Sequence, residues 1–147
     1  MEVLTSPQQM PKHYHLSVDT DLNNLAQVLD WFHQSHPTLI PEREWIECQI
    51  ALAEGFTNAV RHAHQSLPTH TPIQLELGIE LDHIEIRIWD QGPTFDLCQY
   101  LRHHPTFPGQ DADSGRGLLL INRIADHLQY RRVNNRCNCL SIIKYLP

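Results

Sequence analysis

A two-layer α/β (α+β) sandwich is the fold class the sequence predicts: one mixed, mostly antiparallel sheet covered on one face by helices. Three observations predict it. Ile73–Leu81 and Ile84–Ile88 alternate apolar with polar residues as half-buried strands do, and only Asp82-His83 separates them. Residues 22–32 and 41–64 instead repeat apolar side chains at helical spacing. The chain of 147 residues suffices for one core under a single helical layer rather than for two domains.

In chain order, residues 1–12 read as a polar, proline-containing tail, and 13–147 as the single domain. His13–Val18 alternates enough for a first strand. Asp19 or Thr20 can cap a helix carrying Leu22, Leu25, Ala26, Leu29 and Phe32 on one face. His36-Pro37 ends it, because a residue preceding proline avoids helical geometry. Pro41 suits the first turn of a second helix running to about His64. Its expected buried stripe is Ile46, Ile50, Ala53, Phe56, Ala59, Val60 and Ala63. The alternating pair that follows reads as an antiparallel hairpin with one buried face. Residues 103–115 form a loop rich in Pro, Gly and Asp. Gly117–Ala125 reads as an apolar helix, and strands His127–Val133 and Cys137–Leu146 flank the turn Asn134-Asn135.

Composition narrows the function classes. A formal charge of −6, with Lys12 and Lys144 the only lysines, argues against a nucleic-acid surface. The sequence contains no run approaching the roughly 20 apolar residues of a membrane span. Its N-terminus lacks the apolar core of a signal peptide, so a cytoplasmic location is expected. Cys48, Cys98, Cys137 and Cys139 have no framework spacing and read as free, mostly buried thiols. Cys137-x-Cys139 lacks the second close pair that a zinc site needs.

Chemistry concentrates in three places. On the second helix, Glu54, Asn58 and Arg61 share one polar stripe, since Asn58 lies about 40° and Arg61 about 20° from Glu54 around the axis. An amide oxygen suits a hard cation such as Mg²⁺, and a neighbouring carboxylate can accept a hydroxyl proton. Alone, this stripe reads as a solvated helix face. Gly55 adds a hint, because a mid-helix glycine costs stability and suggests a close approach. The second place is Asp90-Gln-Gly92-Pro-Thr94-Phe-Asp96, after a strand. A carboxylate there can accept from an exocyclic amine such as that of adenine, and Gly92 would let a flat ring lie against the backbone. The same residues also read as a turn, with Asp96 capping a short helix Leu97–His103. The third is Gly115-Arg116-Gly117, where free N–H groups at a helix start can meet phosphate oxygens; the alternative is a flexible loop closing on a helix. Neither GxxxxGK[ST] nor a strand–GxGxxG–helix unit occurs.

Order and spacing make the three together far more specific than any one. ExxxN on a helix, DxG after a hairpin strand, a loop, and GxGL opening a helix resemble the GHKL ATPase superfamily. The pieces "EGFTNAVRHAH", "DQGPTFD" and "GRGLLLINRIAD" look most like its anti-sigma factor serine kinases. The resemblance spans nearly the whole chain and implies the Bergerat, histidine-kinase-like ATPase fold. It implies ATP and Mg²⁺, with Glu54 as base for a substrate serine and Asn58 as the Mg²⁺ ligand. Asp90 and Gly92 would meet adenine, and Gly115 and Gly117 the phosphates. Arg61, His62, Thr94, Arg116 and Leu118 complete the implied nucleotide-binding set, and residues 104–114 would be an ATP lid. The implied partners are a STAS-type antagonist, which the kinase phosphorylates, and a sigma factor or related target; a homodimer is common in the family. Two departures stand out. Thr94 occupies the place of the superfamily's second glycine, and Asp113-Ser114 precede Gly115 where some members carry a basic residue. The second departure leaves a runner-up, a nucleotide-binding partner-switch module that transfers nothing.

Overall fold

Strict alternation in the two central strands decides the architecture. The computed structural model describes residues 11–103 and 116–147. Five strands, β1 (Lys12–Asp19), β2 (Pro72–Ile79), β3 (His83–Asp90), β4 (His127–Val133) and β5 (Cys137–Tyr145), form one sheet in the order β1-β2-β3-β5-β4. Every pairing is antiparallel, so the sheet is not mixed. Register keeps branched side chains in line across the centre, with Leu75 opposite Ile88, Leu77 opposite Ile86, and Ile86 opposite Ile142. Ile73, Leu75, Leu77 and Ile79 on β2, and Ile84, Ile86 and Ile88 on β3, are all buried on one face. Leu81, expected to continue the alternation of β2, instead sits in the turn and is 70% exposed.

Helices α1 (Leu25–Gln34), α2 (Glu42–Asn58), α3 (Leu97–His103) and α4 (Arg116–Ile124) complete the fold. A 3₁₀ turn, Leu22–Asn24, precedes α1, and its cap is Asp21, which accepts from the Asn23 N–H at 2.9 Å. The expected caps are committed elsewhere. Asp19 closes β1 opposite Pro72, and Thr20 donates its hydroxyl to the Thr71 carbonyl at 2.6 Å. Helix α1 stops at Gln34, just short of His36-Pro37.

The buried face of α2 is rotated one residue from the expected stripe. Trp45, Cys48, Ala51, Leu52, Phe56 and Ala59 face the core, whereas Ile46 and Ile50 are exposed. Trp45 sets the phase by stacking between Phe32 (centroids 4.0 Å apart) and His36 (4.5 Å), which locks α2 against α1. Of the expected positions, Phe56 and Ala59 are buried. Gly55 explains how closely α2 lies on the sheet, since a Cβ there would stand 2.4 Å from Ile88 Cδ1. Strands β4 and β5 are joined through Asn134 and Asn135, both left-handed (φ 55° and 54°), a conformation asparagine tolerates well.

Candidate nucleotide site

The alternation that buries Ile84, Ile86 and Ile88 also carries Asp90, at the end of β3, inside the protein; it is 4% exposed. A buried carboxylate needs donors. Asp90 Oδ1 accepts from the Gly92 N–H at 2.9 Å and from Asn138 Nδ2 at 2.8 Å. Asp90 Oδ2 accepts from the Tyr130 hydroxyl at 2.5 Å. Burial, reinforced by the Asp90 carboxylate, pushes the Tyr130 phenol well above its ordinary range, so it holds its proton at neutral pH. Asn138 stands directly opposite Asp90 in the β3–β5 register, which explains its place in this network.

The loop after β3 is tied down on both sides. Arg132 Nη1 donates to the Gly92 carbonyl at 2.6 Å, and Asn138 Nδ2 reaches the carbonyls of Gly92 and Pro93 at 3.1 and 3.2 Å. A Cβ on Gly92 would lie 2.4 Å from the Ala63 carbonyl oxygen, so this glycine admits a neighbouring backbone. His64 Nε2 accepts from the Gln91 N–H at 2.7 Å, while its Nδ1 contacts Thr20 Oγ1 at 2.7 Å. Thr20 gives its own proton to Thr71, so His64 is neutral with the proton on Nδ1. Burial lowers its pKa, opposed by Asp90, and so favours that neutral form.

Helix α2 does not end where α-helical geometry ends. Ala59–Ala63 form a π-helical turn, closed by the His64 N–H to the Ala59 carbonyl at 2.8 Å, five residues back. Such turns re-phase the side chains that follow and concentrate at functional sites. Asn58 and His62 line a cavity of about 310 Å³, and Arg61 is not among its lining residues. Thr94, Phe95, Tyr100, Leu118, Tyr130 and Leu140 close most of the remaining wall. Phe95 packs edge-on to Tyr130 (6.2 Å) and tilted against Tyr100 (5.6 Å), giving that wall an aromatic side. A mostly apolar hollow with a few fixed polar groups is the usual form of a small-molecule site.

The other end of the site lies where α4 crosses α2. A Cβ on Gly117 would lie 2.8 Å from Glu54 Oε2, so the missing side chain is what lets this carboxylate reach the first turn of α4. Glu54 and Gly117, 63 positions apart in sequence, are thereby adjacent. Of the sequence-predicted residues, Asn58, His62, Thr94 and Leu118 line the cavity; Asp90 and Gly92 do not, and Asp90 is hydrogen-bonded to the lining residue Tyr130. Arg61 and Arg116 are exposed. Gly115 and the expected lid over 104–114 fall outside the described residues. Sequence reasoning did not single out Tyr130, Asn138, Arg132 or His64. Asn138 carried a usable signal, a polar residue interrupting the apolar positions of β5; Tyr130 carried none.

Residues 18–144 match the family described as the histidine kinase-like ATPase domain. The serine-protein kinase RsbW of Oceanobacillus iheyensis is 33% identical over 106 residues, which cover 68% of this chain and 65% of that protein. The protein of that name from Bacillus subtilis is 29% identical over 106 residues, covering 68% and 64%. That from Listeria innocua is 33% identical over 88 residues, covering 56% and 55%. The chain thus spans somewhat less than two thirds of the length of these relatives. With an antiparallel sheet under helices and a family match across most of its length, the chain belongs to the histidine kinase-like ATPase domain family.

Proposed function

We propose that this chain is an ATP-dependent protein-serine kinase and anti-sigma regulatory factor of a partner-switching system, which phosphorylates a STAS-type antagonist and binds a sigma factor or related target. The observation that carries this reading is the meeting of Glu54 with the first turn of α4, one helical turn from Asn58 in the cavity wall. Similarity to proteins named serine-protein kinases adds to it. The cavity suits a purine: its walls are apolar and aromatic, and the Asp90–Tyr130 pair stands at one side. Towards α4, the free N–H groups of a helix start favour phosphate oxygens. Asn58 would hold Mg²⁺, which would neutralise phosphate charge. Glu54 would take the proton of the attacking serine hydroxyl. No helix among the described residues is long and apolar enough to cross a membrane, and a cytoplasmic site of action is part of this proposal.

Calorimetry with ATP, with and without Mg²⁺, tests the nucleotide reading. Affinity should fall on adding EDTA, and Asn58→Ala should remove most of that Mg²⁺ dependence. Absent affinity, or affinity indifferent to both changes, contradicts the reading. A second reading, nucleotide binding without transfer, is favoured by Asp113-Ser114 ahead of Gly115, which leaves the exposed Arg116 as the nearest cation in sequence.

A further inference from the structure

Two walls of the cavity come from different elements, and one buried side chain ties them together. Asn58, His62 and Ala63 belong to the end of α2 and its π-helical turn, whereas Pro93, Thr94 and Phe95 belong to the loop after β3. His64 follows the turn directly and is 2% exposed. Its Nε2 accepts from the Gln91 N–H at 2.7 Å, where that loop begins. Asp90, Asn138 and Arg132 bind the next residues of the loop to the sheet. His64 binds it to the helical layer.

The ring is itself held. Its Nδ1 lies 2.7 Å from Thr20 Oγ1, and Thr20 has committed its own proton to the Thr71 carbonyl at 2.6 Å. Thr20 therefore accepts from Nδ1–H, and Nε2 presents its lone pair to Gln91. The geometry points to His64 as a positioning residue of the nucleotide site: as a neutral acceptor on the Gln91 N–H, it sets the spacing between the helical wall and the loop wall of the cavity. The inference rests on the nucleotide reading above. A proton added at Nε2 would turn the acceptor into a donor facing a donor. The loop wall would lose its tie to α2, and nucleotide affinity would fall with it. Thr20, Thr71 and Gln91, which meet the ring through this chain of bonds, carry no charge. Asp90 is the charged group that acts on His64; it favours the protonated form, and burial outweighs it. The acceptor form thus prevails above the ordinary value of 6.5 and is lost as pH falls through the lowered one.

Calorimetry with ATP in Mg²⁺, from about pH 8 to about pH 5, on wild type, His64→Gln and His64→Asn tests it. Wild-type affinity should fall about tenfold across that range as one hydrogen bond is lost. A glutamine amide oxygen can take the place of Nε2 without titrating, so His64→Gln should match wild type at the alkaline end and exceed it at the acid end. Asparagine reaches only the place of Nδ1, so His64→Asn should bind about tenfold more weakly than wild type at the alkaline end and equal it at the acid end. Ratios between the proteins at each pH cancel what the nucleotide phosphates and His62 contribute, since all three share them. A merely structural role would lower the stability of the variants and leave the pH profile of affinity as in wild type; that result overturns the proposal. If both variants fail to fold, the nitrogen–nitrogen coupling across the Gln91–His64 hydrogen bond of wild type, read by magnetic resonance, takes their place. It should be present at the alkaline end and vanish together with ATP affinity. Its absence there, or its survival where affinity is lost, contradicts the proposal. Wild type that binds ATP while keeping constant ratios to both variants defeats this inference alone, whereas wild type that binds no ATP at any pH defeats the nucleotide reading beneath it as well.

Discussion

Removing the Asp90 carboxylate strands two donors, the Gly92 N–H and the Tyr130 hydroxyl, and takes from Asn138 Nδ2 one of its three acceptors. Each buried donor left unpaired costs about 1–3 kcal/mol, so Asp90→Ala should melt at a clearly lower temperature. With the Asp90–Tyr130 pair at one side of the proposed purine site broken, ATP affinity should fall about tenfold or more, and preference over GTP should narrow, both read by calorimetry. His64 yields a pH prediction. Its folded pKa lies below the ordinary value of 6.5, so the unfolded chain takes up the proton first as pH falls. Its contribution is complete above about pH 6.5 and is lost as pH drops through the depressed folded value. Protonation would place a hydrogen on Nε2 against the Gln91 N–H, breaking the bond that anchors the loop after β3. Carboxylates such as Glu47, lowered chiefly by Lys144, and Glu85, lowered chiefly by Arg87, act only beneath about 4.5, outside this window. Urea midpoints of wild type should fall between about pH 7.5 and 5.5, and His64→Asn should flatten that fall.

Two glycines separate two kinds of close packing between elements. A Cβ on Gly92 meets a carbonyl oxygen of the π-helical turn at 2.4 Å, and backbone cannot step aside. On Gly55 it meets the tip of the Ile88 side chain at 2.4 Å, which can change rotamer, and alanine also recovers about 1 kcal/mol of helix propensity. Gly92→Ala should thus cost about 3 kcal/mol or more in denaturant unfolding, and Gly55→Ala nearer 1 kcal/mol. The reverse order would contradict the packing described. Element identity was largely legible because period-two and helical patterns are strong in Ile73–Ile88 and in 41–64. Phase was less so. Ile46 and Ile50 fit a helical stripe as well as Trp45, Cys48 and Leu52 do, and the volume of Trp45 between Phe32 and His36 decides the matter in three dimensions. The π-helical turn was invisible, since nothing in Ala59–Ala63 marks a change of ladder. His62, rather than Arg61, lines the cavity wall beside Asn58.

At the scale of the molecule, the site is assembled from α2, the loop after β3, α4 and the last two strands, which only the completed sheet brings together. The local motifs Glu54–Asn58 and Asp90–Gly92 were readable through their order and spacing, since alone the first also fits a solvated helix face and the second a turn. Tyr130 and Arg132 were not, because their partners Asp90 and Gly92 are about 40 positions away and only register brings them near. In the proposed function Glu54, beside the first turn of α4, is the proton acceptor of a serine kinase. A single-turnover assay of labelled phosphate transfer from ATP to the STAS antagonist of the same genome, comparing wild type with Glu54→Gln, tests it most directly. Glu54→Gln should keep Mg²⁺-ATP affinity and lose transfer by about 10²–10⁴-fold. Equal rates would contradict the role of Glu54, and no transfer by wild type to any such antagonist, despite ATP binding, would contradict the kinase itself.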